Sequence, residues 1–443
     1  MQGLSYCDIN HRLQIRLCSA IPGCTLSDAK RCLLWKDGFA SAQTVKLSIS
    51  HDYFALGRLA DELESFVSAM ANAMPKLSEI HVQLLQHGFS FAAGHHAHKA
   101  VVPVELLEFL LQKFPRLERI KFCDLHIMTV GPGREQQQQQ QQQRDSLQKL
   151  AIALECQSLL EHLELRHCSF FPVSSSRVDP LLTSLSIGVP TLEKLILQFP
   201  FQNGVSVSTT AVNALTEGCT RLRELHFKGL HTIPTCSKAT PPSMLWNGCA
   251  SLERLALHLP PLTSPAMSEA MGTELASLVH KAPKLVALTV NLHLLQAQGQ
   301  QSTKCHSLQS FQSALASALR PTKLQELYIL CHDEIAITRG GQSQQLPTLP
   351  VFCRVLQDTP TLTRLCLPHC GELDECVAFW LAVNQSGIRQ FFLPLDDNDG
   401  NSQNRNSVAR LGELGEFVSS KDDRTQLSMI YYVLREGCPL FLA

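Results

Sequence analysis

Several clusters in this sequence carry residue types that hold metals or move protons, and their spacing decides what chemistry each allows. Asp396-Asp-Asn-Asp-Gly400 invites calcium. A helix-flanked calcium loop needs its Gly sixth from a leading Asp and a bidentate Glu at the twelfth place. Counting back from Gly400 puts Leu395 first and Asn406 twelfth, so the segment is read as a solvated loop. Cys366, His369, Cys370 and Cys376 offer three thiols and an imidazole, and Cys7, His11, Cys18, Cys24 and Cys32 form a looser group. A structural zinc needs four converging ligands, commonly from two closely spaced pairs. Neither spacing supplies them, and no metal or cofactor is expected. His95, His96 and His98 are expected in an exposed loop. His332-Asp333-Glu334 could relay a proton, but neighbours on one turn rarely meet as a working dyad. The chain has no His-Glu-x-x-His, no Gly-x-Ser-x-Gly and no phosphate-cradling glycine loop, so it is expected not to be an enzyme.

The elements that would position any site come from one recurring phrase. Ten times a pattern close to Leu-x-x-Leu-x-Leu returns, usually after Pro or Cys. Examples are Pro75-Lys-Leu-Ser-Glu-Ile-His-Val82, Cys219-Thr-Arg-Leu-Arg-Glu-Leu-His-Phe227 and Pro360-Thr-Leu-Thr-Arg-Leu-Cys-Leu367. Because strand side chains alternate, the last two apolar places share one face of an extended segment and the residue between them faces away. Ahead of most phrases the apolar spacing changes to three and four, as in Leu106, Leu107, Leu110, Leu111 and Phe114. That predicts helices over 59–74, 103–114, 146–155, 209–217, 267–281, 307–320 and 350–358. First leucines recur every 26 to 43 residues, enough for a strand plus a helix with insertions. One such unit cannot bury its own apolar face, so successive units must stack.

The division predicted is an N-terminal helical cap or degenerate adaptor segment over 1–41, a repeat array over 42–395, and a polar loop with a helical cap over 396–443. Within the first segment helices are expected at 12–20 and 26–35, followed by a weak half-repeat at Thr44-Val-Lys-Leu-Ser-Ile49. Helices are also expected at 408–418 and 425–435. Inside the array, residues 131–144 form a loop holding the polyglutamine run Gln136–Gln143.

These phrases resemble the leucine-rich repeat family, closest to its ribonuclease-inhibitor-like and cysteine-containing subclasses. Leu160-Glu-His-Leu-Glu-Leu-Arg-His-Cys168 and Leu362-Thr-Arg-Leu-Cys-Leu-Pro-His-Cys370 match through the family's Asn/Cys position, whereas Leu85, Leu125, Leu230 and others depart from it there. The resemblance implies an α/β horseshoe with parallel strands on the concave face and helices on the convex face. It also implies that the concave face binds protein.

Composition narrows the partner. The 443 residues carry 38 basic and 39 acidic side chains, which argues against a broad nucleic-acid footprint, and only 6% are aromatic. No apolar run is long enough to span a bilayer and no leader pattern opens the chain, so no membrane association is expected. Seventeen scattered cysteines point to reduced thiols in a cytoplasmic or nuclear setting rather than a disulfide framework.

The face opposite the core leucines is then the candidate protein-binding site: Arg119, Lys121, His162, Glu164, Lys194, Glu224, His226, Arg254, Tyr328, Arg364 and Phe392. Arg and aromatic residues dominate interface energetics, which singles out Arg119, Arg254, Tyr328 and Phe392. The favoured expectation is a non-catalytic intracellular scaffold for a protein partner. The alternative is an F-box-like substrate receptor of a ubiquitin ligase, with residues 9–40 as the adaptor segment. A ribonuclease-inhibitor-like regulator would need a strongly acidic inner face, and the mixed signs argue against it.

Overall fold

The computed structural model describes residues 4–7, 11–18, 21, 24–35, 39–51, 53–54, 60–85, 99–128, 145–170, 177–199, 205–228, 230–233, 250–259, 265–292, 310–315, 319, 323–331, 359, 361–366, 388, 390–395 and 428–433. The chain is α/β and divides into two compact units, Met1–Thr235 and Cys236–Ala443.

In the first unit strands and helices alternate. The main sheet holds β1 (Leu4–Cys7), β2 (Arg12–Leu17), β3 (Thr44–Ile49), β4 (Glu79–Leu84), β6 (Arg119–Cys123), β8 (His162–Arg166), β10 (Lys194–Gln198) and β12 (Glu224–Lys228), in that order. β1 runs antiparallel to β2, and every later pair is parallel. A parallel pair needs a crossover, supplied here by α1 (Leu26–Trp35), α2 (Ala60–Ala73), α3 (Val104–Lys113), α4 (Asp145–Glu155), α5 (Asp179–Gly188) and α6 (Thr209–Gly218). Consecutive helices pack on one another. Short strands pair as side sheets, β5 (Ala100–Pro103) with β7 (Leu125–Met128) and β9 (Ser169–Phe170), and β11 (Ser206–Ser208) with β13 (His231–Ile233). In the second unit β14 (Arg254–His258), β15 (Ala287–Leu292), β16 (Glu326–Cys331), β17 (Arg364–Cys366), β18 (Gln390–Leu395) and β19 (Ser428–Val433) are parallel throughout, with α7 (Pro265–Lys281) between β14 and β15.

Each of the ten phrases forms a strand, and the shared register comes from a repeated backbone device. At most rungs one carbonyl before the strand accepts from two successive N–H groups of the next rung. Gln43 O takes Ser78 and Glu79, Ser78 O takes Glu118 and Arg119, Glu118 O takes Glu161 and His162, and Glu161 O takes Glu193 and Lys194. The same fork recurs at Glu253, Val286 and Gln325 in the second unit. This large parallel sheet with its recurring fork is compatible with a repeat solenoid. Alternation then sends Leu163, Leu195 and Leu225 into the core, all fully buried.

Side chains also seal one rung against the previous one. Gln157 Nε2 donates to Leu111 O at 2.7 Å, and the Cys219 thiol donates to Val189 O at 3.4 Å, so both satisfy carbonyls near the end of the preceding helix. The Cys168 thiol donates to Phe122 O at 3.2 Å. Leu125 stands at the corresponding place one rung earlier, buried and apolar, so the polar contact is not repeated there. Asp124 and His167 take left-handed backbone, φ 56° and 52°, where the chain leaves the main sheet for β7 and β9. Asp and His tolerate that region better than most residues, and a single left-handed residue makes the sharp corner.

Two expectations are corrected. Residues 12–20, read as helical, contain strand β2, because Leu13, Ile15 and Leu17 alternate with Arg12, Gln14 and Arg16 and the alternation feeds the register of β3. The predicted cap over 1–41 therefore contributes a parallel strand as well as helix α1. Residues 425–435, also read as helical, contain strand β19, whose backbone pairs with β18. The run Ser-Met-Ile-Tyr-Tyr-Val suits a sheet better than a helix. The polyglutamine run, residues 350–358, residues 396–418 and the His95–His98 cluster lie outside the described residues.

Candidate functional site

The first unit's sheet places three rows of side chains on the face opposite the core. One row reads Arg12, Thr44, Glu79, Arg119, His162, Lys194, Glu224. The next reads Gln14, Lys46, His81, Lys121, Glu164, Ile196, His226, and the third Arg16, Ser48, Gln83, Cys123, Arg166, Gln198, Lys228. The first two rows hold the seven candidate residues of this unit and extend onto β2 and β3. In the second unit the rows are Arg254, Ala287, Glu326, Arg364, Gln390 and Ala256, Thr289, Tyr328, Cys366, Phe392.

Electrostatics differ between the units. In the first, each row carboxylate has a cation: Glu79 with Lys121 at 3.4 Å, Glu164 with Arg166 at 3.0 Å and Glu224 with Lys194 at 2.7 Å. His162 sits between Arg119 and Lys194 in the register, and burial with those two charges holds its imidazole below the usual range. His81 is affected more strongly. Burial first, then Lys46, Lys121 and Arg12, bring its pKa down to about 4, with Glu79 acting the other way. Above pH ~6.5 this imidazole is neutral whether the chain is folded or unfolded. As pH falls from there towards about 4, the unfolded chain takes a proton that the folded chain refuses. Stability should therefore fall through that window, and His81→Gln should flatten the slope in denaturant titrations at pH 7 and pH 5.

In the second unit Glu326 is the shared anion, with its side chain 9% exposed. Arg364 reaches it at 3.0 Å from the adjacent strand, and Arg254 reaches it at 3.6 Å from two strands away. That second reach passes over Ala287, whose small side chain leaves room between Arg254 and Glu326. The Tyr328 hydroxyl donates to Glu326 at 3.5 Å, and burial together with this carboxylate pushes the phenol up to about 12. Glu326→Gln should destabilise by about 1–3 kcal/mol, since Arg364 and Arg254 each lose a carboxylate partner whose own side chain is only 9% exposed. Arg254→Met should cost less, because its side chain is one-third exposed (34%) and solvent replaces the lost partner. Urea midpoints of the two variants give the comparison.

The eleven expected site residues thus differ in access. Arg119 is exposed; Lys121, His162, Lys194, Glu224, His226, Arg254 and Arg364 are half-buried. Glu164 is 8% exposed and Tyr328 only 5%, so Tyr328 acts here as a packed partner of Glu326 rather than an open anchor. Phe392 holds its register position in β18, and its side chain lies outside the described residues. Sequence reasoning missed Arg12, Arg16 and Lys46, whose signal was the alternation in 12–17 and the half-repeat at 44–49.

Other reactive groups are placed by packing. The thiol of Cys123 is pushed up to about 11 by burial and Asp124, and that of Cys168 is also raised by burial, so neither is primed as a nucleophile. His126 Nδ1 lies 2.8 Å from Ser169 Oγ, but the two are cross-strand neighbours in the side sheet and Ser169 is buried. Among the described residues no group of three or more His, Cys, Asp or Glu could hold a metal ion, and no helix is long and apolar enough to cross a membrane. No family model matches this chain, and no curated protein matches it.

Proposed function

We propose that this chain is a leucine-rich repeat protein that acts as a non-catalytic interaction scaffold, with a partner protein docked across the strand face. The observation that carries the reading is the in-register rows: parallel strands present mixed polar, charged and imidazole side chains on one face while the leucines face the core. The thiol-to-carbonyl contact of Cys168 also supports the repeat assignment, since it gives the Cys of the phrase a rung-sealing role. Sheet backbones hold such rows rigidly, so little order is lost when a partner arrives. The F-box-like adaptor reading of residues 9–40 is the less favoured alternative, since this span holds strand β2 as well as helix α1.

The test is photocrosslinking in cells with benzoylphenylalanine in place of Arg119 on the strand face or Gln112, an exposed residue of α3. A discrete protein adduct from position 119 and none from position 112 supports the reading. Adducts from position 112 alone would move the docking surface to the helices and refute it.

A further inference from the structure

We infer that the N-terminal part of this strand face, across β2, β3, β4 and β6, receives a protein segment rich in aspartate and glutamate. The inference rests on the docking reading above and names the class of its partner. Over the whole chain the charges nearly cancel, 38 basic against 39 acidic. On these four strands they do not: the face carries Arg12, Arg16, Lys46, Arg119 and Lys121 against Glu79 alone. Glu79 is already engaged with Lys121. Among the described residues Arg12, Arg16, Lys46 and Arg119 have no carboxylate ion pair, and the three arginines are exposed.

Such an array works against folding. Like charges on neighbouring strands repel, and a cation is worst placed where water is partly excluded. Both conditions hold at Lys46, whose ammonium is weakened first by burial and then by Arg12 and Arg16. The next position in the row is His81, pressed by Lys46 on one side and Lys121 on the other, and its Nε2 is buried without a hydrogen-bond partner. Carboxylates arriving over Lys46 and Arg119 relieve the repulsion and give these donors their acceptors.

The same rows argue for a protein segment over a nucleic acid. No Phe, Tyr or Trp stands in them to stack a base. Glu79 also sits between Thr44 and Arg119 in its row, where it would repel a continuous line of phosphates. A peptide can space its carboxylates around that point.

The experiment measures fluorescence anisotropy of the full chain with labelled decaglutamate, with a labelled uridine decamer and decalysine as the other probes. The unsubstituted chain should bind decaglutamate, lose affinity as salt rises, and ignore decalysine. Lys46→Glu combined with Arg119→Glu should weaken decaglutamate by about tenfold or more, because the reversal places like charges against the ligand. Lys281→Glu on α7 should leave it unchanged. The neutral pair Lys46→Met with Arg119→Gln covers the case in which the reversed chain fails to fold, and should weaken binding in the same direction. Equal binding by wild type and both pairs overturns the inference, as does tighter binding of the uridine decamer. Either result alongside a protein adduct from position 119 would reject the acidic class and leave the docking reading standing. Absence of that adduct would count against the docking reading itself.

Discussion

Leu225→Ala should destabilise the first unit by about 2–5 kcal/mol, the range for emptying a buried leucine site. Leu225 is fully buried in β12 and stands beside Leu195 of β10 in the register, so its loss opens a cavity against a neighbouring rung. Denaturant unfolding followed by far-ultraviolet circular dichroism gives the change in midpoint. An unchanged midpoint would mean that the fourth position of the phrase does not face the core. The comparison with Ile187→Ala sharpens the result. Ile187 is 68% exposed at the end of α5, and its truncation should stay within about half a kcal/mol of wild type.

Gly218→Ala separates two explanations of the Gly-Cys sequence that ends α6. Helix propensity alone predicts stabilisation by about 1 kcal/mol, since Ala is the better helix former. Packing predicts the opposite. A Cβ on Gly218 would overlap the Ser186 carbonyl oxygen and would lie 2.8 Å from its carbonyl carbon and 2.9 Å from its Cα, all backbone atoms of α5. No rotamer change can relieve such a contact, so α5 and α6 must separate. Overpacking of this kind typically costs about 1–3 kcal/mol, which outweighs the propensity gain. Gly188→Ala should behave alike, because its Cβ would meet the backbone of Glu155 in α4. A stabilised Gly218→Ala chain would show that these helices do not approach so closely.

The glycine case illustrates what the sequence could and could not convey. Glu217-Gly-Cys219 is legible as a helix end, and α6 does end at Gly218. The close approach of the neighbouring helix is invisible in one chain's letters, because it depends on residues about 30 places earlier. The ten strands were legible for a simpler reason: alternation within the phrase is local, and the core leucines repeat it. β2 is equally local, with Leu13, Ile15 and Leu17 at period two, yet it lacks the phrase that marks the other strands. The side strands such as Ser169–Phe170 are too short to leave a pattern. The rows of the candidate site followed from the register once the strands were placed. Access did not follow: Arg119 is open and Tyr328 is closed, although both stand at equivalent faces of the phrase.

The near-zero total charge hides a local excess, because the cations of 12–16, 46 and 119–121 meet only when three crossovers bring their strands side by side. Summed charge speaks to solubility and long-range steering; what a face can bind is set by neighbours in space.

The claim on which the rest depends is that the strands of the first unit stack side by side in one register, and pulsed spin-label distances test it most directly. Nitroxide labels in a cysteine-free background would pair position 12 with position 79, then 162, then 224, which stand two, four and six strands away. With adjacent strands spaced by about 4.8 Å, the separations should rise steadily, towards upper values of about 10, 19 and 29 Å. A series that fails to lengthen in that order would contradict the stacked register and the binding face derived from it.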